Sequence, residues 1–207
     1  MNVLLSTAYW PNLEYFYYLL NSRSASIELH ENFTRQTYRN RCRILSANGP
    51  LDLIIPVKKT GSKMAINETY ISHDTNWQRN HWHAITSAYR NSPYFEFFAE
   101  SIRPFYSGRF ESLMEFNSLQ LKAIFSILKI EKEIIFTRKY EKEPDEATDL
   151  RDAIHPKNNQ LSPLARPALN NEYYQTFQEK FPFTPNLSIL DLLFNTGLQS
   201  ANYLIGK

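Results

Sequence analysis

Four arginines fall close together at Arg35, Arg39, Arg41 and Arg43, and Lys58 and Lys59 close the apolar run that follows. On an extended strand, side chains alternate faces, so Arg39, Arg41 and Arg43 project one way while Asn40, Cys42 and Ile44 project the other. Three guanidiniums on one face repel each other unless an anion sits among them. Each offers a planar fork suited to a carboxylate or a phosphate. The stretch therefore reads either as a solvated basic face with acidic partners elsewhere or as an anion-binding face. His30 and His81 are the neighbouring side chains whose ordinary pKa suits proton transfer near neutrality. Asp191 lies in an otherwise apolar run, Ile189–Phe194, and a buried carboxylate there needs a partner. Arg41 is the expected one, with Arg43 able to take the same role; Arg39→Ala should then cost less stability than Arg41→Ala.

Other chemistries find little support. His81 and His83 flank Trp82 and cannot share a helix face, and neither a cysteine nor a nearby carboxylate completes a ligand set, so no metal site is expected. There is no Gly-rich phosphate fingerprint, no Ser-His-Asp order and no spaced carboxylate pair, and no cofactor can be named.

The elements that must position these residues follow from periodicity. Asn2–Ser6 reads as a buried strand. Leu13, Phe16, Tyr17 and Leu20 mark an amphipathic helix, and Ser26–His30 is a second strand. A strand–loop–helix–strand opening predicts a parallel unit, with ligands outside the carboxyl ends of its strands, at Thr7–Asn12 and His30–Asn32. Tyr38–Leu45 and Leu51–Val57 flank Asn48-Gly49-Pro50, a hairpin with a longer loop. Ile66–Ser72 reads as a further strand. Helices are expected from Trp77 to about Asn91, over Tyr94–Phe105 and Ser112–Leu128, and over Ile189–Phe194. Glu133–Thr137 and Tyr173–Phe177 are late strands, and 138–167 is a loop-rich segment punctuated by prolines. The fold class is α/β: a mixed sheet with an Arg-rich hairpin, flanked by helices, in one domain spanning 1–207.

Composition bounds the function. A chain of 207 residues with 43% hydrophobic and 14% aromatic residues and only 5 glycines builds a core rather than a disordered chain. The net charge of +2 is too balanced for nucleic-acid binding over the whole surface. Between Arg23 and Lys63, however, eight basic residues face three acidic ones. The single cysteine, Cys42, permits no internal disulfide and fits a reducing compartment. With no signal-peptide pattern and no apolar run of spanning length, a cytoplasmic protein is expected.

Several runs together resemble the WbqC-like family, proteins associated with bacterial surface-polysaccharide (O-antigen) gene sets. They are Ala8-Tyr9-Trp10-Pro11 with Tyr15-Phe16, Asn40–Leu45, Ile55–Lys59, Ile66-Asn67-Glu68, Trp77 with His81, Ala88-Tyr89-Arg90 before Pro93-Tyr94-Phe95, and Pro185–Asp191. The chain departs from the family at Thr7-Ala8, where Gln-Pro is common, at Glu14, where Gly is common, and in a shortened Arg151–Pro167 region. The resemblance implies an enzyme of surface-glycan assembly acting on a phosphorylated or nucleotide-linked sugar, such as a group (acyl) transferase. It selects Asn40, Arg41, Arg43, Lys58, Lys59 and Trp77 as ligand-binding residues, and His81 and Asp191 as catalytic ones. The partner is then an anionic small molecule, a sugar nucleotide. The alternatives are a nucleic-acid-binding module, stacking bases on Tyr9, Trp10 and Tyr38, and a non-catalytic scaffold. Oligomeric state is not legible.

Overall fold

Val3, Leu4 and Leu5 run consecutively through the first strand and each is at most 1% exposed. A strand apolar on both faces belongs in a parallel sheet covered on both sides. In the computed structural model, which describes residues 1–58, 64–144, 146–158 and 160–206, that strand is β1 (Asn2–Ser6). It is followed by α1 (Leu13–Asn21) and β2 (Ser24–Glu28), parallel to β1 with Ser6 opposite Glu28. Asn12 caps α1, its Oδ1 accepting the Tyr15 N–H at 3.3 Å, and Leu13, Phe16 and Leu19 are its fully buried stripe. β5 (Ile134–Phe136) adds beside β2, and β6 (Thr148–Asp149) beside β1, giving a four-stranded parallel sheet in the order β5-β2-β1-β6.

β3 (Arg41–Ser46) and β4 (Gly49–Ile54) form a separate antiparallel hairpin. Ser46 pairs with Gly49, so the turn is the two residues Ala47 and Asn48 rather than a longer loop, and Gly49 takes a φ of 99°. Parallel and antiparallel pairing are both present, divided between the sheet and the hairpin. The Ile66–Ser72 run forms no strand. It is a 3-10 turn at Ile66–Glu68 followed by isolated bridges at Tyr70 and Ile71.

Helices fill the rest. α2 (Trp77–Tyr89) lies against β3 and against α4 (Pro104–Ser107), which follows α3 (Phe95–Ile102) after a break at Arg103. Ser112 caps α5 (Leu113–Leu128), and Lys129 ends it in the left-handed conformation. The loop-rich segment holds β6 and the short α6 (Arg166–Leu169). Tyr173–Phe177, expected as a strand, is irregular through Gln175 and enters a turn at Thr176. α7 (Ile189–Thr196) is buried along nearly its whole length, and α8 (Ser200–Ile205) packs on α1. No helix among the described residues is long and apolar enough to cross a membrane.

Candidate functional site

Two buried carboxylates mark the carboxyl edge of the parallel sheet. Glu28 ends β2 at 0% exposure. Its Oε1 accepts the His30 N–H and the Thr137 hydroxyl, each at 2.8 Å, and its Oε2 accepts the Glu141 N–H at 3.1 Å. Arg151 lies 3.6 Å from Glu28, donates to both oxygens of Asp149, and reaches the Glu141 and Lys142 carbonyls. Glu31, three residues on, holds buried Arg39 in a two-point contact of 2.9 and 2.5 Å, with Asp152 3.8 Å away. Burial of unpaired charges is prohibitive, so this alternation of acid and base is what allows four ionised groups below the surface. Between them Ser6, Thr7, Tyr15 and Tyr38 help line a cavity of about 10 Å³, room for one water.

Tyr38 and Arg39 lead from this cavity onto the hairpin face. Burial pushes the Tyr38 hydroxyl up to about 12, with Arg43 opposing the shift and Asp52 adding to it. Arg41 and Arg43 share the single carboxylate of Asp52: Arg41 donates at 3.0 Å, Arg43 at 2.7 and 3.2 Å. A guanidinium carries five N–H donors, so three of ten are engaged. Among the described residues nothing accepts from the rest, and the Arg41 Nε is shielded from solvent without a partner. Two cations against one anion leave a net positive charge beside the strand ends. The loop above is held rigidly. Trp10 has a left-handed φ of 36°, its indole donates to the Tyr106 hydroxyl at 2.8 Å, and its carbonyl accepts from Ser188 at 2.9 Å. A non-glycine residue in that conformation persists only where its surroundings over-determine it.

The residues selected from sequence divide. Arg41 and Arg43 stand on a part-buried hairpin face. Asn40 is buried, its amide donating to the Ile55 carbonyl at 2.7 Å. Lys58 pairs with Glu111 at 3.2 Å over the Tyr70 ring, and Lys59 lies outside the described residues. Trp77 and His81 are in the core, their rings 5.2 Å apart. His81 Nδ1 meets the Tyr9 hydroxyl at 2.9 Å. Burial lowers its pKa to about 4, so the ring is neutral at pH 7.

Asp191 does not pair with Arg41. It accepts from Tyr89 at 2.9 Å, Tyr173 at 2.6 Å and Gln175 at 3.0 Å. Three neutral donors satisfy the carboxylate without a second buried charge, while Arg41 finds Asp52 diagonally across the hairpin, opposite Arg43. Arg39 is likewise not an outlying member of the strand face. It precedes β3, is 2% exposed and, of the three, is the one buried with an acid. Tyr9 and Trp10 are both at 0% exposure and offer no base-stacking face.

The Glu28–Arg151 and Glu31–Arg39 contacts escaped the sequence reading. Glu31–Arg39 spans eight residues of irregular chain, and Glu28 and Arg151 are brought together by the β1–β2 and β1–β6 pairings and the Glu141 backbone. No local pattern encodes either.

The chain is 28% identical to a protein of Mycobacterium tuberculosis (strain ATCC 25618 / H37Rv) described as "Uncharacterized protein Rv1507c", over an alignment of 204 residues that covers 83% of each. No solved structure matches it. The WbqC-like protein family model matches residues 7–177, from the loop after β1 through the buried ion pairs to the Asp191 donors Tyr173 and Gln175, although Asp191 itself lies past its end. With most of its length so matched, the chain belongs to the WbqC-like protein family.

Proposed function

We propose that this chain is an enzyme of surface-glycan assembly that acts on a phosphorylated or nucleotide-linked sugar and transfers a group, such as an acyl group, to it. The observation that carries the reading is the pair Arg41 and Arg43, which share one carboxylate and keep most of their donors uncommitted at the carboxyl edge of a parallel sheet. A phosphate or pyrophosphate fits that surplus, because bidentate charge-assisted bonds to guanidinium are the strongest the inventory allows. The surface-polysaccharide context implied by the family resemblance supplies the sugar. In this reading His30, half-buried where β2 ends, takes the proton from the attacking group of the sugar as that group bonds to the acyl carbon of an acyl thioester, and returns it to the thiolate released when the thioester bond breaks. His81 and Asp191 act as positioning residues, tying the loop after β1 and the last helices to the core.

A thermal-shift screen tests this directly, using nucleotide sugars and acyl-coenzyme A donors. A ligand that binds only the folded state raises Tm saturably by mass action. The expected result is stabilisation by at least one nucleotide sugar, lost in Arg43→Ala. Stabilisation by none of them would leave a non-catalytic scaffold as the better reading. A nucleic acid that binds with a steep salt dependence would point to the nucleic-acid class instead.

A further inference from the structure

The segment after β6 closes over the root of the hairpin. The Ile154 N–H donates to the Leu150 carbonyl at 3.2 Å, which winds 150–154 into one helical turn. From that turn Leu150, Arg151 and Ile154 line the small cavity shared with Tyr38 and Arg39, and Asp152 comes within 3.8 Å of the Arg39 guanidinium. Residues three apart on such a turn lie on one side, so His155, at its end, follows Asp152 toward the start of β3. The charges that act on its ring agree with this placement: they are Lys157 and Asp152 of its own segment, and Arg39 and Arg41 of the hairpin.

His155 is half-buried, and its ring is held in one orientation and one tautomer. Its Nδ1 accepts the Lys157 N–H at 3.1 Å. Burial, joined by the charges of Lys157, Arg39 and Arg41 and opposed by Asp152, lowers its pKa below the ordinary 6.5, so the ring is neutral at pH 7. A neutral imidazole whose Nδ1 accepts carries its proton on Nε2. That Nε2–H has no acceptor among the described residues. The surrounding charge selects an anion to fill the place. Glu31 offsets Arg39, and Arg41, Arg43 and exposed Lys157 outnumber Asp52 and Asp152. A cationic ligand would meet the same arginines and a ring that can only donate.

We infer that His155 is the third arm of the anion site, donating its Nε2–H to the phosphate or pyrophosphate group that Arg41 and Arg43 bind. This deepens the proposed function and rests on its anion site on the hairpin face. Calorimetric titration with inorganic pyrophosphate at pH 7 tests it. The wild-type chain should bind saturably. His155→Leu, with an unchanged circular dichroism spectrum, should bind about tenfold or more weakly, the usual effect of losing a hydrogen bond to a charged group. His155→Gln places an amide N–H near the position of Nε2–H and should bind within about threefold of wild type. A second readout needs no variant: the His155 Cε1–Hε1 resonance should shift in step with saturation, while that of exposed His83 on α2 stays still. Three results would each overturn the inference: His155→Leu binding as tightly as wild type, His155→Gln binding no tighter than His155→Leu, or a His155 resonance unmoved at saturation. If Arg43→Ala still weakened binding in those cases, the anion site would stand without His155. A wild-type chain that binds no pyrophosphate would defeat the anion site itself, and the inference with it.

Discussion

Asp191 and His81 titrate in opposite senses. Burial holds the Asp191 pKa at about 6 against three donors, above the ordinary 3.8. The folded chain thus keeps a proton that the unfolded chain has released. The stability this confers is complete below about pH 4 and is lost as pH rises through 6. Burial depresses His81 to about 4 from 6.5, so here the unfolded chain holds the proton longer. That contribution is complete above about pH 6.5 and is lost as pH falls toward 4. Each group alone bends stability by up to about 1.4 kcal/mol per pH unit, and between pH 4 and 6 the two largely cancel. Urea melts at half-unit steps should show Asp191→Asn gaining stability with pH more steeply than wild type, and His81→Gln less steeply. Parallel slopes for the three proteins would contradict the burial of both groups. The arginines separate just as clearly. Arg39→Ala strands buried Glu31 and should cost roughly 3–5 kcal/mol. Arg41→Ala leaves Asp52 with Arg43 on a part-exposed face and should cost about 1 kcal/mol or less. Denaturant midpoints in the reverse order would refute this assignment of the two residues.

Among the elements, Ser188 is the joint between the last helices and the candidate site. Its hydroxyl accepts from Leu190 N–H at the start of α7 and donates to the Trp10 carbonyl in the loop after β1. Ser188→Ala removes a buried cap and leaves that carbonyl unsatisfied, at a cost of about 2 kcal/mol. A loss below about 0.5 kcal/mol in chemical unfolding would show that the joint is dispensable. Helices with an apolar stripe were legible from sequence, and α1, α5 and α7 prove to be capped by Asn12, Ser112 and Ser188. β6 was not legible, because Thr148 and Asp149 are two exposed residues recruited to the sheet by β1. Tyr173–Phe177 looked like a strand because it is aromatic. In the fold its Gln175 side chain instead bridges Asp191 and the Thr184 backbone, which holds the segment out of any sheet. Arg39 was placed in the strand by alternation alone, yet the ladder begins only at Arg41.

At the scale of the whole molecule, the candidate site gathers segments far apart in sequence. The loop after β1, the end of β2, the hairpin and the segment after β6 meet at one edge. The sequence announced the surplus of positive charge there, but not which arginines the fold would neutralise. Arg39 and Arg151 are held by buried or partly buried acids and are structural. Arg41 and Arg43, which share only Asp52 among the described residues, are the pair we propose binds the anion. The most direct test follows the arginine Nε–H resonances of ¹⁵N-labelled protein by NMR during titration with inorganic pyrophosphate. Saturable shifts at Arg41 and Arg43, with Arg39 and Arg151 unmoved, are the predicted result. Saturation without any shift at Arg41 and Arg43, or shifts confined to other arginines, would contradict an anion site on the hairpin face.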